Sequence, residues 1–393
     1  MTPIPRLRNY NGPAILSDGF RPFFLLGGIY AGLAMLLWLS VFSGATHIET
    51  AFAPRDWHIH EMLYGYLPAV ITGFLLTAVP NWTGRLPLRG KPLLILVLIW
   101  TAGRLVVGAS AWTGWILAAI IDCGFLLAVA FVIAREIAAG KSWSNMKVLV
   151  AFGLLLAGNV TFHIEAHLQG MADYGSRLGI AAAIMLLMLI GGRIVPSFTR
   201  NWLARQRPGR LPAPFGTFDI VAMVVSGGAL AGWIAAPQSR IGGAALIAAG
   251  LMQAVRLARW AGERTWRHRL VLILHLAYAF IPAGFILTGL SALAGVPATA
   301  GIHAWMAGAA GGMTLAVMSR ATLGHTGRAL LATPATQAVY LLVLIGALAR
   351  IAATLWSEWG VGLIHFAGLS WAMGFLGFGV VYWTMLTGPR PKG

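Results

Sequence analysis

The chain has a single cysteine, Cys123, inside an apolar run. That excludes intrachain disulfides, cysteine-ligated iron–sulfur clusters and c-type haem, which is attached through CxxCH. Any redox centre must therefore be held by histidine, methionine or carboxylate. Charge is scarce as well. Only 10% of the 393 residues are charged, against roughly 25% in an average soluble domain. The alternating polarity of transmembrane barrel strands is missing too. No stretch reads as a separate soluble domain, since the longest connections, 199–215 and 256–269, are short and basic. The segment 1–21 is basic and proline-rich, and the first apolar run has spanning length without a small-residue cleavage site, so a cleavable signal peptide is not expected.

What the chain has is hydrophobic length. Apolar residues make up 58% of it. Segments near 23–43, 60–80, 91–110, 112–134, 146–168, 178–198, 216–236, 239–259, 270–293, 300–319, 334–356 and 361–386 are each about 20 residues long, enough to cross a hydrocarbon core of roughly 30 Å. In lipid the backbone must satisfy its own hydrogen bonds, so the segments are helices. The expectation is an all-α polytopic membrane bundle of about 12 transmembrane helices. It forms one domain over 1–393, with a short inner segment 1–21 and spans from about 22 to 386.

The net charge of +17 would suggest nucleic acid in a soluble chain. Here topology accounts for it. With the N-terminus inside, the outer loops carry only Arg55, Arg177 and Arg240, and Arg104, Arg193 and Arg350 fall within spans. The remaining basic residues, among them Arg6, Arg8, Arg207 and Lys392, lie on the inner side, as the positive-inside rule requires. This supports an N-in, C-in bundle in an inner membrane, with the lipid bilayer and not nucleic acid as its partner. Spans 2, 6 and 10 end in similar text, TAVPNWTGR, RIVPSFTRNW and LAVMSRATLGHTGR. A four-helix repeat in a three-arc bundle fits, and so do generic basic helix ends.

Topology sorts the ten histidines by depth. His47, His58, His60, His163, His167, His303 and His365 lie at or near the outer side, and His268, His275 and His325 near the inner side. In WHIHEMLYGY, His58 and His60 are two residues apart, about 200° around a helix. They cannot chelate one ion from a regular helix, but they can serve two centres on its opposite sides. Imidazole is a ligand for haem iron, copper and zinc, and snorkelling interfacial histidines are the plainer reading. His163 and His167, four apart in FHIEAH, share a helix face, with Glu165 to the side. That spacing suits one ion or a wet helix end. His303 and Met306 lie one turn apart, a donor pair for copper(I) or a haem axial position, although a methionine stripe more often serves packing. His275, within span 9, is a ligand or a buried hydrogen-bonding group. His325, in ATLGHTGR, reads as a loop residue.

Arg104 and Arg350 fall at the depth of the outer histidines and need counter-charges. Glu61, Glu165 and Glu358 are the carboxylates near that depth. Haem propionates or lipid phosphates are the other sources. Arg193 stands where it complements the C-terminal dipole of span 6. Asp122, mid-span, is a proton-relay residue or a neutral acid bonded within the bundle.

DGFRPFFLLGGIYA, WHIHEMLYGYLPAVITGFLLTAVPNWTGR, GGRIVPSFTRNW, HLAYAFIPAG and HAWMAGAAGGMTLAVMSRATLGHTGR occur in this order between about residues 18 and 330. Together they resemble the NnrS family of bacterial membrane proteins. The resemblance implies haem b and copper as cofactors and a role in nitric oxide metabolism, denitrification and nitrosative-stress resistance. It also implies that the site positions are those in the motifs: His58, His60, His275, His303, His325 and Arg193. His163, His167 and His365 lie outside them. Since depth divides the motif histidines between two sides, two centres are expected, or structural roles for some of the residues. Nitric oxide, small and membrane-soluble, would reach such a centre without a surface pocket. Reducing it would need an electron donor outside the chain. A transporter of copper or a small anion, and a non-catalytic haem sensor or protector, are the competing readings.

Overall fold

The computed structural model describes residues 10–206 and 208–391. The basic positions Arg6, Arg8, Arg207 and Lys392 of the charge argument lie outside the described residues. The protein is all-helical, with no strand among the described residues. Twelve long helices run in order: α1 (Phe20–Phe42), α2 (Pro54–Thr83), α3 (Lys91–Gly108), α4 (Trp115–Ala139), α5 (Met146–Gln169), α6 (Asp173–Leu203), α7 (Thr217–Ala235), α8 (Arg240–Ala258), α9 (Arg269–Ala294), α10 (298–325), α11 (Pro334–Leu355) and α12 (Gly360–Thr387). Apart from α10, each is long and apolar enough to cross a membrane.

Local chemistry sets the ends. Pro54, Pro92 and Pro334 stand in first turns, where a missing N–H costs nothing. Ser239 and Thr333 cap α8 and α11 by accepting from Gly242 N and Thr336 N, each at 3.2 Å. Gly84, Gly170 and Gly295 close α2, α5 and α9 with φ between 68° and 76°, a left-handed turn that a side chain would strain.

Two helices are not uniform. In α2, Glu61–Tyr66 forms a π-helical segment immediately after His60. In α10, Ala304–Ala310 does the same immediately after His303. The two helices thus share an α–π–α build with a histidine at the first junction. Such segments are rare and concentrate at functional sites.

The helices pack in chain-neighbour pairs, α3 on α4, α5 on α6, α8 on α9 and α11 on α12, and α1 closes against α12. Glycine permits the tightest approach. A Cβ on Gly289 would lie 2.6 Å from the carbonyl oxygen of Gly243 across the α8–α9 contact, as small-residue interfaces in membranes allow. The outward faces stay apolar: Phe131 is 67% exposed and Val380 78%. Water would penalise such a surface, and lipid does not. α2 is the most enclosed of the apolar helices, so its two polar sides face protein.

Candidate metal centre

The centre is built on α2 and faces α3, α4 and α5. His60 and Glu61 come from α2, Arg104 from α3, Asp122 from α4, and Asn159 and His163 from α5. Apart from Arg104, at 8%, each is no more than 1% exposed. Asn159 and His163 are four apart and so share a face.

One carboxylate oxygen organises the group. Asp122 Oδ2 lies 3.1 Å from His60 Nε2 and 3.1 Å from His163 Nε2, and accepts from Asn159 Nδ2 at 2.7 Å. On its other side, His60 Nδ1 stands 2.9 Å from Glu61 Oε1. Arg104 Nη1 donates to both Glu61 oxygens at 2.7 Å, and its Nη2 donates to Asp122 Oδ1. Tyr30 of α1 donates to Glu61 Oε2. Phe52 covers both imidazoles, with ring centroids 4.9 Å from His60 and 5.1 Å from His163, and Phe162 stands edge-on to it.

The hydrogen-bond inventory exposes a deficit. Nδ1 of His60 must carry hydrogen to meet Glu61. A neutral ring then leaves Nε2 as a bare lone pair. That lone pair faces two acceptors, Asp122 Oδ2 and Asn159 Oδ1, the latter also at 3.1 Å. The amide orientation of Asn159 is fixed by its bond to Asp122. Lone pairs converging on one point need a cation between them, either a proton or a metal ion. Formal charge agrees, since Glu61 and Asp122 against Arg104 leave one negative charge in a buried site. His60, Asp122 and His163 each present a ligand atom, all within 4.8 Å of one another. Ligands about 2.0–2.2 Å from one ion stand roughly 3–3.5 Å apart. Asp122 Oδ2 stands at that spacing from both imidazole nitrogens, 3.1 Å each, so the donor set fits a metal ion of the zinc or copper type.

On the opposite side of α2, His58 stacks on Trp38 of α1 at 4.6 Å and 12°. It shares a crevice of about 40 Å³ with His303 and Arg350. His303 commits Nδ1 to the carbonyl of Thr299 at 2.7 Å. Met306 does not line the crevice. The π turn begins at Ala304 and takes more residues per turn, so the one-turn spacing no longer aligns the pair.

His167 is exposed and stacks on Trp115 at 4.3 Å, so α5 does not bring it to the ion site beside His163. Glu165 receives the N–H groups of Tyr174 and Gly175 at 2.9 and 2.8 Å and caps α6. Arg104 has two carboxylates and needs no propionate. Arg193 is exposed. His275 Nε2 meets Thr199 Oγ1 at 2.8 Å, while its Nδ1 is buried without a partner. His325 is the last residue of α10 and not a loop residue. It lines a cavity of about 310 Å³ with Phe24, Phe74, Phe198, Asn81 and Arg320. His365 pairs with Ser43 at 2.8 Å, and His47 with Glu49 at 3.0 Å, both at the exposed end of the bundle.

A family model described as NnrS protein matches residues 14–390. The chain belongs to the NnrS family. No curated protein matches it. NnrS membership supports a nitric-oxide-related membrane protein. A metal ion fits the His60–Asp122–His163 donor set. A porphyrin does not fit the His58–His303 crevice, which has room for only about three water-sized groups. The His325 cavity fits one in kind. It offers an imidazole, aromatic walls and a guanidinium, Arg320, whose Nη1 is buried without a partner.

Sequence reasoning missed Asn159, Tyr30 and Phe52. Asn159 carried a usable signal, an amide four residues before His163 on an apolar helix. Tyr30 and Phe52 carried none, because their roles depend on which helices meet.

Proposed function

We propose that this NnrS-family chain is a nitric-oxide-handling protein of the bacterial cytoplasmic membrane, with both termini inside, and that its reactive centre is a copper ion held by His60, Asp122 and His163 towards the outer side. The buried convergence of two imidazoles and a carboxylate, one negative charge in excess, carries this reading. Haem b would be held in the separate cavity at the opposite end by the His325 imidazole and the Arg320 guanidinium, among Phe24, Phe74 and Phe198.

A bound copper ion supplies an electron-transfer centre with affinity for small diatomic ligands. The chain's own residues do the rest. Glu61 holds hydrogen on His60 Nδ1 and so keeps Nε2 available as a ligand, the outer-shell role that carboxylates play at metal-bound histidines. Arg104 fixes Glu61 and Asp122 and offsets their charge. Asn159 orients Asp122. Tyr30, bonded to Glu61, is a proton-bearing group at the edge of the site. Phe52 and Phe162 exclude water while admitting an apolar gas. Binding requires nothing further, and reduction of nitric oxide requires an external electron donor.

The test is metal and haem analysis of detergent-purified protein, with optical spectra before and after nitric oxide. The account predicts that His163→Ala loses copper and retains haem, and that His325→Ala does the reverse. Well-folded wild-type protein that is both colourless and metal-free would contradict it.

A further inference from the structure

Arg350 lies in the outer half of α11 and has no carboxylate partner among the described residues. Its side chain donates to Thr354 Oγ1 at 2.9 Å, one turn along the same helix. The buried arginines are neutralised: Arg104 by Glu61 and Asp122, Arg256 by Asp219 at 2.9 Å, Arg21 by Asp18 at 3.7 Å; Arg350, half-buried like Arg320, has no such pair among the described residues. An unpaired guanidinium in a low-dielectric bundle is costly unless something negative joins it.

The space beside it is built. The crevice of about 40 Å³ is walled by His58, His303, Trp38, Trp371 and Ala307 together with Arg350. His58 Nδ1 is buried with no hydrogen-bond partner among the described residues, and the ring stacks on Trp38. Trp371 is already committed, donating to the carbonyl of Ala307 at 3.2 Å. Arg350 disfavours a cation between the imidazoles. The volume admits about three water-sized groups, too few for a phosphodiester headgroup.

We propose that this crevice is a binding site for a small monovalent anion of one to three heavy atoms, held by the Arg350 guanidinium between the rings of His58 and His303. The site stands on the opposite side of α2 from the His60 centre and does not rest on the metal reading.

The experiment is an infrared titration of the full-length protein in detergent with azide, whose asymmetric stretch moves on leaving water. A saturable shifted band is expected, displaced by chloride and by nitrite. A charge-assisted hydrogen bond of about 1.5–3 kcal/mol corresponds to a loss of roughly tenfold to a hundredfold in azide affinity in Arg350→Gln. Arg350→Lys, which keeps the charge, should restore part of it. His163→Ala should leave the band unchanged, because azide on a metal ion at the His60 centre would vanish in that variant. The proposal is overturned by the absence of a saturable band, by a band that survives Arg350→Gln, or by one lost in His163→Ala. A band displaced by short-chain phosphatidylglycerol and not by chloride would also overturn it, by making lipid the occupant.

Discussion

His60 and His163 present their Nε2 atoms to the same oxygen of Asp122, each at 3.1 Å. They come from helices α2 and α5, and the carboxylate from α4, so the contact is a tertiary one. Everything else around it supports that convergence. Arg104 and Glu61 fix the partners, and Phe52 and Phe162 close the site.

Arg104 is the structural pivot. Removing it leaves Glu61 and Asp122 buried without a counter-charge. Breaking a buried pair from one side costs about 3–5 kcal/mol. Arg104→Met is expected to lower the thermal midpoint of the purified protein sharply or to abolish its accumulation in membranes, and Arg104→Lys to recover only part. A variant with wild-type stability would show that the pair is not needed.

Tyr30→Phe removes one donor from Glu61 and leaves Arg104 in place. A hydrogen bond to a charged group contributes about 1.5–3 kcal/mol. The thermal midpoint should fall while metal content persists. Loss of the metal in a folded Tyr30→Phe protein would mean that Tyr30 does more than hold Glu61.

Gly289→Ala places a Cβ 2.6 Å from Gly243 O and 2.7 Å from Ile247 Cγ1. Overpacking of this kind costs about 1–3 kcal/mol. Denaturant titration should show the loss. The metal centre lies in the other half of the bundle, and its occupancy per folded molecule should not change.

His167→Ala is the control for helix-face reasoning. His167 stacks on Trp115 and lies outside the cluster. Metal content should match wild type. A drop would revive the reading in which His163 and His167 share an ion.

The twelve helices were legible in the sequence because hydrophobic length is a local property, and the expected spans overlap the observed ones throughout. The opposite facing of His58 and His60 was legible too, since it needs only the helical repeat. The π segments broke that repeat after both first-junction histidines, and Met306 does not join His303 in lining the crevice. His163 and His167 satisfied the spacing rule, but α5 turns only His163 inward, and no single-helix pattern says which neighbour a face will meet. Glu61 stood among the carboxylates expected at the depth of Arg104 and does pair with it, whereas Asp122, 18 residues away, read as an isolated mid-span acid. Its role follows only from the packing of α3 on α4.

Quantifying copper bound per folded molecule in wild type, His163→Ala and His167→Ala tests the central claim most directly. The account predicts stoichiometric copper in wild type and His167→Ala, and its loss in His163→Ala with the helical content retained. Copper that is unchanged in His163→Ala would contradict the assignment of the centre to His60, Asp122 and His163.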